Sequence, residues 1–301
     1  MEFKNITKNV FYIKDNTNIG VIKINENNDV LIIDTGSDSS KGRRIVKKLK
    51  ENGYTVKYII NTHMHADHIG GNNYIQKNCP DVKIFSFRSE ISFIENPLFM
   101  PYLLYSGAYP IKELRNKFLL AEPSKVTDII SDEEKEINIE NNNIKLIPLN
   151  GHTEFHKGIL FDNVLFCGDS LISEELLEKH KIPVNINIRN TKKTLLKLIE
   201  SNYSYYVPSH GDLLENIVSL AKTNLDRIIE IENKILDYII KEHSTEELIT
   251  YLLYSYGIEI KNATLYYLYN TTILAFLSYL KEENKIDITY NKNKILWKAI
   301  L

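Results

Sequence analysis

From Thr62 to Gly71 the chain reads Thr-His-Met-His-Ala-Asp-His-Ile-Gly-Gly, which sets three imidazoles and one carboxylate within six residues. Neutral imidazole is the commonest nitrogen donor for zinc and iron, and a carboxylate adds oxygen and negative charge. The run follows Tyr58-Ile59-Ile60-Asn61, a β-branched stretch that reads as a buried strand. In an extended tail His63 and His65 face the same side, because strand side chains repeat every two residues. Asp67 and His68 begin the turn that follows, so four ligand-type groups can converge on one pocket. This is metal chemistry.

Three distant points offer further ligands, each at a turn after an apolar strand. His152 follows Ile144-Lys145-Leu146-Ile147, Asp169 follows Val164-Leu165-Phe166-Cys167, and His210 follows Tyr205-Tyr206-Val207-Pro208-Ser209. Five of the eight histidines lie in these positions, a concentration that loop composition does not explain.

At these residues the sequence resembles the metallo-β-lactamase superfamily, and its glyoxalase-II-like branch more than the antibiotic-resistance enzymes. The resemblance covers about residues 3 to 215 and takes in the Asp34-Thr35-Gly36 turn. It implies an α+β fold, a four-layer αββα sandwich with a two-metal site at one edge. Carried over by position, His63, His65 and His152 bind the first ion, Asp67, His68 and His210 the second, and Asp169 bridges them. Asp34 supports the site from behind. Asp67 and Asp169 then flank a bridging hydroxide at the reacting centre. The chain departs from the family in one place. Many members carry Pro-Gly after the third histidine ligand, where this chain reads Gly151-His152-Thr153-Glu154-Phe155-His156. His156 is expected to support the site from behind the ligands or to be structural, since the ligand set is complete without it.

The implied chemistry needs no side-chain nucleophile. A pair of divalent cations about 3.5–4 Å apart ionises a shared water and polarises the oxygen under attack. Zinc is the expected metal, and iron or manganese suits the same donors. Neither Cys79 nor Cys167 has a neighbouring base in the sequence.

The rest of the composition agrees with a cytoplasmic enzyme acting on a small molecule. Hydrophobic residues make up 43% of the 301 and charged residues 25%, as in ordinary globular proteins. A net charge of −2 exerts no global pull on nucleic acid or anionic membrane. Two isolated cysteines make no disulfide framework. The N-terminus shows strand-like alternation in place of a signal peptide, and no apolar run approaches a membrane span.

Two regions are expected, a catalytic domain over 1–214 and a helical, winged-helix-like domain over 215–301. In the first, Val21 to Asn25 and Val30 to Ile33 read as a hairpin. A helix is expected from Ser39 or Ser40 to Asn52, and another from Gly70-Gly71 to Pro80. Residues 86–135 stand outside the simple core, with an apolar stretch from Phe93 to Tyr105 that reads as a packed excursion, a lid or a homodimer surface. In the second region, helices are expected over 215–242, 247–256 and 262–283, then a hairpin about Asn291-Lys292-Asn293. Ser244-Thr245-Glu246-Glu247 is a capping box. His180 and His243 read as solvated helical residues. Positions 264–272, where a reading helix would face nucleic acid, carry no basic residue.

The leading reading is a dinuclear metal-dependent hydrolase of a thioester, ester or lactone. The alternatives are a phosphodiesterase or endoribonuclease, for which single-stranded RNA is the nucleic-acid substrate to consider, and a mononuclear iron persulfide dioxygenase.

Overall fold

The computed structural model describes residues 1–300. Contacts divide them into two compact units. The first comprises Met1–Leu149, Phe155–Leu171 and Ser201–Ile217, and the second Asn150–Glu154, Ile172–Glu200 and the chain from Val218 onward.

The first unit opens with an antiparallel meander of β1 (Glu2–Asn5), β2 (Val10–Lys14), β3 (Ile19–Lys23) and β4 (Asp29–Ile33). Helix α1 (Ser39–Glu51) then crosses to β5 (Thr55–Ile60), which pairs parallel with β4. The helix starts one residue after its cap, Asp38, whose side chain accepts the Lys41 N–H at 2.9 Å. Helices α2 (Ala66–Ile69) and α3 (Asn72–Asn78) lead to parallel β6 (Lys83–Phe87). Short helices α4 (Ile91–Glu95) and α5 (Phe99–Leu104) precede β7 (Asp128–Ile130), and the seven strands form one sheet in chain order. A second sheet holds β8 (Glu136–Ile139), β9 (Asn142–Pro148), β10 (Lys157–Phe161), β11 (Val164–Gly168) and β12 (Tyr205–Pro208).

The central strands β2, β4 and β11 are nearly continuous apolar runs because both of their faces are covered. Leu31, Ile33, Ile60 and Phe87 of the first sheet meet Leu146, Ile159, Phe166 and Val207 of the second. The alternate residues Val30, Ile32, Ile59 and Ile84 pack under Ile45 and Leu49 of α1 and Ile75 of α3. The α+β class expected from the sequence, with mixed sheets and helices, is what the chain forms. Residues 128–130 join the sheet as an edge strand, which narrows the excursion to the residues between β6 and β7. There Ile94, Leu104 and Leu114 are buried, while Phe99, Leu103, Tyr109 and Phe118 stay exposed.

The second unit holds α6 (Glu174–His180), α7 (Ile188–Glu200), α8 (Val218–Tyr238), β13 (His243–Ser244), α9 (Thr245–Ser255), α10 (Ala263–Glu282), β14 (Ile286–Asn291) and β15 (Lys294–Ala299). Glu232 of α8, almost fully buried, pairs with Lys192 of α7 at 2.7 Å and with Lys285 at 2.5 Å. Opposite charge on two sides offsets the cost of taking that carboxylate out of water.

The expected capping box is present, with Ser244 and Glu247 each bonding the other's backbone N–H. Helix α8 stops at Tyr238, short of the expected Glu242, and the carbonyl of Ile239 accepts the Ala299 N–H. The chain then enters β13, a third strand beside the hairpin that its two-residue length hid from periodicity. His243 therefore lies in a strand, with its ring stacked on Tyr238 at 4.2 Å between centroids. Among the described residues no helix is long and apolar enough to cross a membrane.

Candidate metal centre

Six of the seven expected ligands fall in the first unit, each at the end of a strand or in the turn beyond it. His63 and His65 extend past β5, and Asp67 and His68 lie on α2, whose one turn brings both to the same donor cluster, His68 buried and Asp67 partly exposed. Asp169 follows β11 and His210 follows β12, two parallel neighbours that deliver their residues side by side. Glycine permits the crowding at the motif's end. A Cβ on Gly42 of α1 would lie 2.7 Å from the Gly71 carbonyl, so only small residues let the helix approach that turn.

Asp67, His68, Asp169 and His210 converge as a four-donor set. His210 Nε2 lies 3.3 Å from Asp67 Oδ2 and 3.4 Å from Asp169 Oδ2. His68 Nε2 lies 3.3 Å from Asp169 Oδ1 and 3.7 Å from Asp67 Oδ2. Two donors each about 2.0–2.1 Å from a tetrahedral ion stand about 3.3 Å apart, so the spacing fits a shared cation. The His68 Nε2 atom is buried yet has no hydrogen bond, which a metal–ligand bond would satisfy. His63 Nε2 and His65 Nδ1 are also close, at 3.0 Å.

The protein orients these rings from behind. Asp34 Oδ1 accepts the Thr62 N–H, and Oδ2 accepts both the Thr62 hydroxyl and His68 Nδ1–H, each at 2.8 Å. Since the Thr62 proton goes to Asp34, its oxygen accepts from His63 Nδ1 at 3.1 Å. One carboxylate thus fixes the tautomer of two imidazoles and leaves both Nε2 atoms for the site. Asp34 is buried and holds φ of 63°, a left-handed conformation that aspartate tolerates. The role assigned to Asp34 from the family resemblance therefore has a geometric basis.

Other supports had no signal in the sequence. His210 Nδ1–H donates to the Asn16 carbonyl at 2.6 Å. Asn18 donates from its side chain to the carbonyls of Pro208 and Gly211, and its N–H to Ser209, clamping the turn on both sides of His210. Asp15, paired with Lys41, ties the same loop to α1. Behind His68, Asn61 donates to the His68 carbonyl at 3.2 Å and accepts from Asn72 at 2.8 Å. Main-chain carbonyls and lone amides make no recognisable pattern, which is why sequence reading missed them.

His152 belongs to the second unit, in the segment Asn150–Glu154. There its Nδ1–H donates to the Val184 carbonyl at 2.8 Å, so the Nε2 lone pair is the one able to bind an ion.

Charge at the four-donor set is strongly coupled. Burial alone pushes the His68 imidazole down, but the carboxylates of Asp169, Asp34 and Asp67 outweigh it and hold it well above its ordinary value. His210, also opposed by burial, is pushed up to about 11 by Asp169 and Asp67. Burial would raise Asp169 and Asp67, yet the two imidazoles hold both well below the usual carboxylate range. A cluster that draws in protons this way is arranged for positive charge, which divalent cations would supply in their place. Burial pushes the Cys167 thiol up, and Cys79 likewise, so neither is a ready thiolate nucleophile.

A family model described as the metallo-beta-lactamase superfamily matches residues 12–210, two-thirds of the chain and all of these candidate ligand positions. The protein belongs to the metallo-beta-lactamase superfamily. Hydroxyacylglutathione hydrolase 1 of Vibrio vulnificus strain YJ016 is 29% identical over 136 residues, covering 45% of this chain and 42% of that one. Hydroxyacylglutathione hydrolase of Buchnera aphidicola subsp. Baizongia pistaciae strain Bp is 27% identical over 184 residues, covering 61% of this chain and 59% of that one. The chain thus spans about half the length of these relatives. A metallo-beta-lactamase family protein from Thermus thermophilus superposes with a TM-score of 0.71, at 16% identity and 94% coverage of both chains, and shares the superfamily fold.

Proposed function

We propose that the protein is a dinuclear metal-dependent hydrolase of a small thioester, ester or lactone. The convergence of Asp67, His68, Asp169 and His210 beside the His63–His65 pair carries this reading. In it, His63, His65 and His152 hold one ion, and Asp67, His68 and His210 hold the other. Asp169, which groups with Asp67, His68 and His210, would be the residue shared between the ions, because a carboxylate offers two oxygens. Zinc suits this nitrogen-and-oxygen set, and the superfamily supports divalent ions generally. Thioesters come first among the substrates because the relatives quoted above are hydroxyacylglutathione hydrolases.

The residues divide the work. Divalent ions bound here supply an activated water near neutral pH and positive charge for the oxygen that becomes anionic. Asp34 and Thr62 hold His63 and His68 in the tautomer that binds metal. The Asn16 carbonyl does the same for His210. Asp67, with 40% of its side chain exposed, marks the solvent side from which substrate approaches. His68 and Asp34, both buried, close the opposite side to bulk water.

Metal analysis of the purified protein tests the reading, together with turnover of S-acyl glutathiones, aryl esters, lactones, bis(p-nitrophenyl)phosphate and single-stranded RNA. Expected are two divalent ions per chain, hydrolysis within the first three classes, and loss of both ions' chemistry on chelation. Asp169→Ala should lose the second ion and all turnover. Cleavage confined to the phosphodiesters would move the substrate class, and one iron with oxygen uptake would replace the hydrolase reading.

A further inference from the structure

We propose that His156 is a positioning residue for Asp169, acting through the Asp169 backbone to set the carboxylate between the two ions. The inference rests on the dinuclear reading. His156 is completely buried, at the point where the chain enters β10. Its Nε2 accepts the Asp169 N–H at 3.0 Å, across thirteen residues of sequence. An acceptor is needed there for a structural reason. The pairing of β11 with β12 slips between Phe166 and Gly168, and Gly168 turns to φ of +57°, so the chain leaves the regular ladder just before Asp169. A buried N–H left by such a break must find another partner.

The surroundings show that this contact is built in. A Cβ on Gly168 would collide with His156 Nε2 and Cε1, so glycine at 168 leaves the space that the ring occupies. The next residue, Lys157, gives its N–H to the Thr62 carbonyl at 3.2 Å, and the His156 ring lies 5.0 Å from that of His63. The Gly168 carbonyl accepts the Ser209 N–H at 3.0 Å. The start of β10 therefore joins the strand ends that carry His63 and Asp169, and Gly168 links the second of these to the turn that carries His210. A neutral imidazole suits the task, because a carboxylate acceptor would set a third negative charge against Asp67 and Asp169.

Two measurements test the proposal. In uniformly 15N-labelled native protein without added metal, a scalar coupling across the hydrogen bond between Asp169 N and His156 Nε2 is expected; its absence from a spectrum that resolves both nitrogens overturns the contact. In the second, Co(II) is titrated into native protein, His156→Phe and His156→Gln, following the visible bands and the thermal midpoint. Gln retains an acceptor near the Nε2 position, and Phe retains only bulk. Expected for Phe is a first ion held as in the native protein, with second-ion affinity about 10–100-fold weaker and an altered spectrum, while Gln recovers most of that loss. Native affinity for both ions in Phe overturns the proposal, as does Gln performing no better than Phe at an unchanged midpoint. Native protein that binds fewer than two Co(II) ions overturns the dinuclear reading instead, and the coupling, measured without metal, still decides the His156 contact.

Discussion

Asp34 Oδ2 accepts the His68 Nδ1–H at 2.8 Å, and through the Thr62 hydroxyl the same oxygen governs His63. One buried carboxylate behind α2 sets two rings that would face different ions. Asp34→Asn keeps the size and the tolerance for a left-handed backbone but has only one acceptor oxygen. Metal affinity is expected to fall about 10–100-fold at both ions. Competition against a chromophoric chelator measures it, and loss at one ion alone would separate His63 from Asp34.

Asn18 holds the His210 turn through the Pro208 and Gly211 carbonyls without reaching any ligand atom. Asn18→Ala should weaken only the ion that His210 is proposed to bind, by about tenfold. Stepwise metal titration would show the first ion unchanged. Equal weakening of both ions would mean that the loop acts on the whole site.

The metal-free protein should lose stability as the solution becomes alkaline. His68 and His210 keep protons in the folded state that they release in the unfolded chain near 6.5, so the folded state binds more protons above that pH. Their contribution is complete below about pH 6.5 and is lost as pH rises through the folded value, about 11 for His210. Asp67 and Asp169, held low, contribute above their ordinary value near 3.8 and cease to do so in stronger acid. Metal binding replaces the protons, so the loaded protein should show a flatter alkaline limb. Thermal midpoints of both forms against pH measure this, and calorimetry in buffers of different ionisation enthalpy should record proton release on metal uptake at pH 7.

Ser244 caps α9 by accepting the Glu247 N–H at 3.3 Å, and Glu247 returns a bond to the Ser244 N–H at 2.8 Å. Ser244→Ala should cost about 1 kcal/mol and leave metal content unchanged. Denaturant melts with metal analysis check both. Loss of metal in this variant would show that the cap does more than hold its own helix.

Much of this was legible in the chain because the signals are local. His63, His65, Asp67 and His68 stand within one strand end and one turn, where spacing alone dictates direction. The cap at Ser244, the α1 helix and the hairpin at Asn291 depend on residues a few positions apart, and each appears where its local pattern indicates. Helix α8 ends before its pattern does, because its apolar spacing continues past Tyr238, while the Ala299 contact that takes up the Ile239 carbonyl lies sixty residues away. Tertiary structure alone decided the supports other than Asp34. The Asn16 carbonyl on His210, Asn18 across the Pro208 turn and His156 on the Asp169 amide join residues far apart in sequence. Backbone donors and acceptors are the same in every residue type, so no sequence pattern announces which will meet. Side-chain chemistry marked the candidate ligands, and folding chose what holds them.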